Sequence, residues 1–304
     1  MSPSPDELYR LTHNQRQRLS YLEFCLYFLG EMRRADMMAR FDCAPAVVTR
    51  DIALYRQLAP ANLELDPSSK AYQILPTFLP LFEHRLEQVL SALMQGEPYS
   101  IESLGKPLLP GDYPALLNRP AMPILAAISR AIRQARCLRV RYHSASSGEQ
   151  VRVIVPHALV DTGLRCHVRA FDRLRGHFID LVLTRILAVE PLAGSPELHE
   201  YADGDTQWQR CITLELVPHP SLPDPAIALL DYAMTNGRLS LTVRAANAGY
   251  LLRQWYVDCS EAAVIHDPAC RLWLRNPSVL DGVESAVFAP GVEAVPPLEA
   301  RLES

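Results

Sequence analysis

The stretch FDCAPAVVTRDIALYRQLAPANLELDPSSKAY, residues 41–72, decides how the N-terminal part of this chain is interpreted. Pro45 suits the first turn of a helix, where its missing N–H costs nothing. In that helix Val48, Ile52 and Tyr55 recur at helical spacing and are predicted to face a core. Two alternating runs on either side of Pro-Ser-Ser then predict a β-hairpin. A helix followed by such a hairpin is typical of the second half of a winged helix-turn-helix.

The residues before this stretch predict two more helices. The run 16–30 has leucines at helical spacing and stops at a glycine, and the run 33–41 has a short apolar side. The residues that define these patterns are Leu19, Leu22, Leu26, Leu29 and Gly30, then Met37, Met38 and Phe41. Three helices followed by a hairpin predict a winged helix-turn-helix over residues 1–78.

A winged helix that binds DNA inserts the start of its third helix into the major groove. The residues predicted there are Pro45, Ala46, Val47, Thr49 and Arg50. The residues predicted to contact DNA at the second helix and at the hairpin tip, mainly through phosphates, are Arg33, Arg34, Ser68, Ser69 and Lys70. Residues 1–75 hold nine basic and nine acidic residues, so their charge does not favour DNA. A protein-interaction role for the winged helix therefore stays open.

The composition favours a soluble chain with reduced thiols. At 304 residues and 49% hydrophobic residues, two or three domains with real cores are expected. The seven cysteines include no CxxC pair, which favours a cytoplasmic protein over a disulfide framework. No signal peptide or long apolar run occurs, so no membrane partner is expected. No catalytic, metal or nucleotide-loop motif occurs, so we expect no enzyme, no metal and no cofactor.

The middle of the chain changes from helical to alternating patterns. Residues 79–120 are predicted as a helical and loop-rich connector, with an amphipathic helix at 80–93. A helix at 122–136 follows, with a proline in its first turn. Strands are then predicted at 138–144, 149–160, 164–171 and 177–192, separated by turns at 146–148, 161–163 and 175–176. Four or five short strands with such turns predict a small antiparallel barrel.

The barrel region has an excess of arginine, with ten arginines against four acids in residues 131–185. Along one strand Arg165, His167 and Arg169 alternate with an apolar set that is predicted to be the core face. Arg152 and Arg185 lie on neighbouring strands, and we expect them to join His167 and Arg169 in one donor cluster for an anion. An ordinary solvated strand face stays an alternative, as does an arginine bias of a GC-rich genome.

The last third predicts a separate α/β domain over residues 205–304. Its pattern is a strand at 211–220, a helix capped by Asp224 and started by Pro225, a strand, a second helix, and a last or edge strand at 271–276. Residues 186–304 hold sixteen acids and seven arginines, which excludes them as the main DNA contact. A two-fold dimer through this domain would match palindromic DNA. Trp255 suits either the core or an interface.

Three blocks carry a family resemblance: RVRYHS (139–144), VRVIVPHALVDTGLRCHVRAF (151–171) and LVLTRILAV (181–189). Together they resemble a WYL domain, an Sm-like (SH3-like) small β-barrel of bacterial regulators. The triplet that names the family falls on Cys166, His167 and Val168, so its two aromatic positions are replaced. The resemblance implies a ligand pocket at Tyr142, Ser144, Arg152, His157, His167, Arg169 and Arg185.

The block YRQLAPANLELDPSSKAY (55–72) is similar to a narrower group, the WYL regulators with an N-terminal winged helix that accompany BREX and CBASS phage-defence systems. The resemblance covers roughly residues 10–290. It implies an α+β multidomain protein: a winged helix-turn-helix, a WYL domain at 121–193 and a C-terminal α/β dimerisation domain.

This resemblance also implies a function, a homodimeric repressor of a phage-defence operon. Its partners would be a palindromic double-stranded DNA operator and a nucleic-acid or nucleotide-like effector bound by the WYL domain. The alternative is a regulatory subunit that tunes a defence enzyme, with the winged helix docking on protein.

Overall fold

The computed structural model describes residues 11–95 and 119–292. Within them the chain divides into two compact units. The first contains residues up to 159 together with 168–195, and the second contains 160–167 together with the residues from 196 onward.

The head of the first unit has the three predicted helices. Helix α1 (His13–Phe24) continues as a π-helical turn (Cys25–Leu29) and ends at Gly30, whose φ of 88° requires glycine. Helix α2 (Arg34–Phe41) and helix α3 (Pro45–Leu58) follow. The predicted core residues of α3, Val48, Ile52 and Tyr55, are buried. The helix prediction for the head is therefore confirmed.

The predicted hairpin is also confirmed as a wing. Strand β2 (Leu63–Leu65) pairs antiparallel with β3 (Tyr72–Ile74). A two-residue strand, β1 (Glu31–Met32), adds to the other edge of β3 and was not predicted, because two residues are too few to show an alternating pattern.

The connector helix, α4 (Leu86–Gln95), begins later than the apolar run at 80–93 predicts. The cause is the fully buried carboxylate of Glu23, which accepts the backbone N–H groups of Leu81 (2.8 Å) and Phe82 (2.9 Å). A buried carboxylate needs such donors, so this segment wraps around Glu23 and does not start the helix. Residues 96–118 of the predicted connector lie outside the described residues.

The sheet domain of the first unit begins with the predicted helix, α5 (Met122–Gln134). Five strands follow: β4 (Leu138–Ser144), β5 (Gly148–Asp161), β6 (Cys166–Asp172), β7 (His177–Val182) and β8 (Ile186–Pro191). The predicted run at 177–192 is divided by a 3₁₀ turn, Leu183–Arg185. The sheet order is β7-β6-β5-β4-β8. Since no pairing among the described residues joins the edge strands β7 and β8, the predicted closed barrel is not confirmed.

The second unit is the predicted α/β domain. Its elements are the helices α6 (Thr206–Gln209), α7 (Ala226–Asp231) and α8 (Ala245–Gln254), and the strands β9 (Cys211–Pro218), β10 (Leu239–Arg244), β11 (Val257–Asp258) and β12 (Leu272–Leu274). The sheet order is β10-β9-β12-β11, and only the β11–β12 pair is parallel among the pairings described. Leu214, Leu216 and Leu252 are fully buried in its core.

Strand β12 is the last strand among the described residues and lies inside the sheet between β9 and β11. The prediction of a last strand at 271–276 is therefore confirmed, and its alternative, an edge strand, is not what the structure shows. Helix α7 begins at Ala226, one residue later than predicted, with Pro225 as its N-cap, and it ends at Asp231. Asp224 accepts the N–H of Ala226 at 2.9 Å. Ala233 and Asn236 adopt left-handed backbone conformations that a continuing helix excludes. Trp255 is half-buried against the core, in agreement with a packing role.

Candidate DNA interface and anion site

The start of α3 presents one open face. Pro45, Ala46, Thr49 and Arg50 are exposed, and Val47 is half-buried. The opposite face holds Asp51, which is buried and paired with Arg18 of α1 at 2.5 Å. This ion pair and the apolar core fix α3 against α1, so the exposed face has a defined position.

The two polar side chains on this face fold back on their own helix. Thr49 Oγ1 donates to the carbonyl of Pro45 at 2.9 Å, and Arg50 Nε donates to the carbonyl of Ala46 at 3.3 Å. Both hydrogen bonds are exposed, so water or another polar group can replace the helix carbonyl at little net cost. The geometry therefore leaves one hydroxyl and one guanidinium available at the open end of α3.

Two predicted phosphate contacts lie at the start of α2. Arg33 and Arg34 are both exposed. Arg33 lies 3.4 Å from Glu31, and Arg34 Nη2 donates to the hydroxyl of Tyr72 in the wing at 3.0 Å. This hydrogen bond links α2 to the wing, and its acceptor is an uncharged hydroxyl group.

The wing tip is organised by Asp66. Its carboxylate accepts the Ser69 hydroxyl at 2.7 Å and the Ser68 backbone N–H at 2.9 Å. The Ser69 hydrogen bond, followed by that of Ser68, lowers the pKa of Asp66 below its ordinary value. Lys70 is exposed and has a φ of 56°. Ser68 and Ser69 therefore shape the turn, and Lys70 is the cation that it presents.

In the sheet domain, Arg152 lies in a polar pocket of its own. The guanidinium is buried, pairs with Asp172 (Nη1 to Oδ2, 2.5 Å) and donates to Gln150 at 2.9 Å. Its carbon Cζ lies 5.7 Å from the centre of the Tyr142 ring. Within the part of the chain that the structure describes, its Nε–H has no hydrogen-bond partner.

Arg169 and His157 lie on the other face of the sheet. Arg169 is buried and pairs with Asp180 at 3.3 Å. The His157 ring packs edge-on against Phe178 at 5.5 Å, and Phe178 meets Phe171 at 5.2 Å. Because neighbouring side chains of a strand point to opposite faces, Phe171 and Asp172 separate the His157 side from the Arg152 side.

The expected single donor cluster is therefore not what the structure shows. Arg152 and Arg169 lie on opposite faces, each beside a different carboxylate. Both faces of β6 are buried from His167 to Asp172, so the interpretation as a solvated strand face is also wrong there. The alternating pattern of the strands could not predict the burial of these arginines. Their burial depends on Asp172 and Asp180, which supply the negative charge that buried arginines need. These two aspartates were not singled out from the sequence, although they are two of only four acids in residues 131–185.

The remaining residues of the predicted pocket have separate surroundings. The His167 ring belongs to the second unit and lies 5.2 Å from the Tyr250 ring of the same unit. The Ser144 hydroxyl lies 3.3 Å from that of Ser146 in the turn after β4. Arg185 is half-buried in the 3₁₀ turn before β8. A ligand-binding role for these seven residues stays a prediction.

Residues 11–95 and 119–292 contain neither a metal site nor a membrane-spanning helix. No group of three or more His, Cys, Asp or Glu side chains there could hold a metal ion. No helix there is long and apolar enough to cross a membrane.

Three family models match the chain in sequence. The model described as the BrxR transcriptional regulator winged helix-turn-helix domain matches residues 14–95, the WYL domain matches 123–191, and the BrxR transcriptional regulator C-terminal dimerization domain matches 211–280.

Three curated proteins named DNA-binding transcriptional repressor CapW are similar over most of their length. The protein of Escherichia coli (strain KTE188) is 34% identical, over 86% of this chain and 89% of its own. The Stenotrophomonas maltophilia protein is 31% identical, over 84% and 87%. The Pseudomonas aeruginosa protein is 32% identical, over 82% and 85%. Proteasome accessory factor B/C of Arthrobacter aurescens matches 80% of this chain and 43% of its own at 21% identity, and its TM-score of 0.27 supports no conclusion.

Proposed function

Because the chain belongs to the CapW family of DNA-binding transcriptional repressors, we propose that it represses a phage-defence operon as a homodimer on a palindromic operator. The observation that carries the proposal is the open start of α3, where Thr49 and Arg50 are exposed on a helix whose other face is buried. The protein acts in the cytoplasm and binds DNA without catalysing a reaction or using a cofactor.

The proposal divides the DNA contacts into two kinds. Thr49 and Arg50 approach base edges in the major groove, where arginine pairs with guanine through two hydrogen bonds. Arg33, Arg34 and Lys70 contact phosphates and fix the position of the head on the duplex. Their exposure supports this division, because each cation is accessible without a change in the fold.

The second unit forms the proposed dimer. Its support is the match of residues 211–280 to a domain described as a dimerization domain. A two-fold dimer places two heads on half-sites about 34–36 Å apart, one turn of DNA. A palindromic operator then presents the same contacts to both heads.

The sheet domain is the proposed sensor of a nucleic-acid or nucleotide-like anion. Arg152 and Arg169 are its main candidates, and each is already paired with a carboxylate. An anion therefore competes with Asp172 or Asp180, or uses donors that remain, such as the Arg152 Nε–H. Coupling to the head requires that ligand binds one DNA-binding state better than the other, typically by about 1–3 kcal/mol.

The test of repression is a footprint on the DNA upstream of the protein's own operon. We expect one palindromic protected site for the wild-type protein and weaker protection of that site by Arg50→Ala at the same concentration. Absence of protection, together with co-purification of a defence enzyme, would instead support a regulatory subunit whose winged helix docks on protein.

The sensor role has its own test, operator gel shifts with and without a short oligonucleotide or a cyclic nucleotide. Arg169→Lys is the suitable variant, because it keeps a cation beside Asp180 and removes the guanidinium fork. We expect it to bind the operator normally and to lose release by the anion. Loss of operator binding without any anion would show that Arg169 supports the fold or the DNA contact.

A further inference from the structure

A cavity of about 630 Å³ lies in the first unit, between the wing and α5. Small-molecule sites have volumes of about 300–1,000 Å³. The head contributes Tyr27, Ile74 and Phe78 to its walls, and α5 contributes Ala127 and Arg130. None of these residues belongs to the predicted DNA contacts or to the predicted ligand pocket.

The walls of this cavity are joined by hydrogen bonds. The Ser129 hydroxyl donates to the carbonyl of Phe28 at 2.7 Å, and Arg130 Nη1 donates to the carbonyl of Tyr27 at 2.5 Å. The last carbonyls of a helix lack partners inside it, and here α5 supplies donors to the π-helical turn that ends α1. These two hydrogen bonds hold α5 against the end of α1 beside the cavity.

The charge of the cavity is positive. Arg130 is half-buried, and no carboxylate of residues 11–95 or 119–292 forms an ion pair with it. Burial lowers the pKa of its guanidinium, because desolvation disfavours the charged form. A second cation, Arg136, lies in the wall, and the acidic wall residue Glu31 lies 3.4 Å from Arg33. An anion in the cavity would compensate the buried charge of Arg130.

The head contributes two aromatic rings to the walls of the cavity. The rings of Tyr27 and Phe78 stack with their centres 4.9 Å apart and their planes 28° apart. Ile74 adds apolar surface on the same side. We propose that this cavity binds a small anion with a flat apolar body, its charge held by Arg130 and Arg136 and its body placed against Tyr27 and Phe78.

Such a site extends the proposed function, because it is separate from the predicted anion pocket of the sheet. One wall belongs to the head and the other to α5, the first helix of the sheet domain. A bound molecule contacts both at once, so the site is suited to an effector that acts on the head directly.

The test uses the full chain and 1-anilinonaphthalene-8-sulfonate, a flat apolar anion, in a fluorescence titration. We expect one dye bound per chain. Ala127→Trp fills the cavity and should weaken binding at least about tenfold, a change of about 1.4 kcal/mol. The matched control is Ala145→Trp, at an exposed alanine in the turn between β4 and β5, which should bind like wild type.

A second pair of variants tests the charge. Arg136→Gln should weaken the sulfonate dye about tenfold, as expected for one lost charge-assisted hydrogen bond. It should leave the uncharged dye N-phenyl-1-naphthylamine unaffected. Arg139→Gln, at an exposed arginine of β4 that lies 3.5 Å from Glu190, is the control for charge.

Two results would overturn the proposal. Dye binding that survives Ala127→Trp would place the dye elsewhere on the protein. Equal effects of Arg136→Gln on both dyes would show an apolar cavity without preference for anions. Footprints of the same variants without dye report operator binding independently, so a failure of this site and a failure of the repressor role are distinguishable.

Discussion

The head and the sheet domain both carry arginine, but they place it in opposite surroundings. In the head, Arg33, Arg34 and Arg50 are exposed, and two of them bond neutral oxygens. In the sheet domain, Arg152 and Arg169 are each 3% exposed and pair with carboxylates.

The exposed arginines of the head are available to a ligand, whereas the buried arginines of the sheet domain already form ion pairs within the fold. Exposed cations can meet DNA phosphates with little rearrangement, whereas a buried ion pair must be opened before either partner binds a ligand. The excess of ten arginines over four acids in residues 131–185 therefore does not show that these arginines form an exposed basic surface.

The strongest test of the comparison removes the carboxylate beside Arg152. Asp172→Ala leaves a buried guanidinium without its anion, and we expect the free energy of unfolding to fall by about 3–5 kcal/mol. Urea denaturation followed by circular dichroism measures this change. Glu190→Ala, which removes the exposed partner of Arg139, is the control and should cost about 0–1 kcal/mol. Equal losses for the two variants would contradict the distinction between the buried and the exposed pair.

The next test concerns the open cations of the head. Arg50→Ala should weaken operator binding by about 1–3 kcal/mol and relax preference at one base pair, because a base contact is lost. Lys70→Ala is its matched control, since it should weaken all DNA sequences alike and reduce the salt slope by about one unit. Gel shifts on operator and scrambled DNA at several salt concentrations measure both effects. A change of preferred operator in Lys70→Ala would show that the wing contacts bases.

A third test addresses the junction of the two regions at Gly30. A Cβ there would overlap the side-chain amide of Gln134, and the φ of 88° is unfavourable for alanine. A left-handed backbone conformation alone costs alanine about 1–2 kcal/mol. Gly30→Ala should therefore lower the free energy of unfolding by more than this amount. Gly176→Ala measures that conformational part, because its φ is 72° and no atom lies within 4 Å of the added Cβ.

The double variant Gly30→Ala/Gln134→Ala completes this test. It removes the overlap and should return the loss towards the value for Gly176→Ala. No recovery in the double variant would mean that contact between α5 and the π-helical turn is not what constrains Gly30.

The sequence predicts the head well because each signal is local. Pro45 starts α3, Gly30 ends the first helix, and the spacing of Val48, Ile52 and Tyr55 gives the buried face. All three signals lie within one element and need no partner from elsewhere in the chain. The wing follows for the same reason, since its turn residues are adjacent in sequence.

The candidate site of the sheet domain is less predictable because its geometry depends on distant partners. The sequence locates Arg152 and Arg169 on strands, but their burial depends on Asp172 and Asp180. The start of α4 is equally non-local, because Glu23 of α1 binds the segment before it. Periodicity identifies the faces of a helix or strand. It does not show whether the charged side chains on a polar face are paired with opposite charges from distant parts of the chain.

The smallest expected effect concerns the half-buried carboxylate of Asp66 in the wing, which contrasts with the fully buried Asp172 of the sheet domain. The hydrogen bonds from Ser69 and Ser68 lower the pKa of Asp66 below its ordinary 3.8. A carboxyl group with a lowered pKa in the folded state stabilises that state above pH 3.8 and loses this contribution as the pH falls through the lowered pKa. The order of the wing turn should therefore persist at neutral pH and decline only below pH 3.8.

Side-chain carboxyl chemical shifts of Asp66 measured against pH test this, with Ser69→Ala expected to move its pKa back towards 3.8. An Asp66 pKa that is unchanged in Ser69→Ala would show that the Ser69 hydroxyl does not hold the carboxylate, and that the turn has another cause.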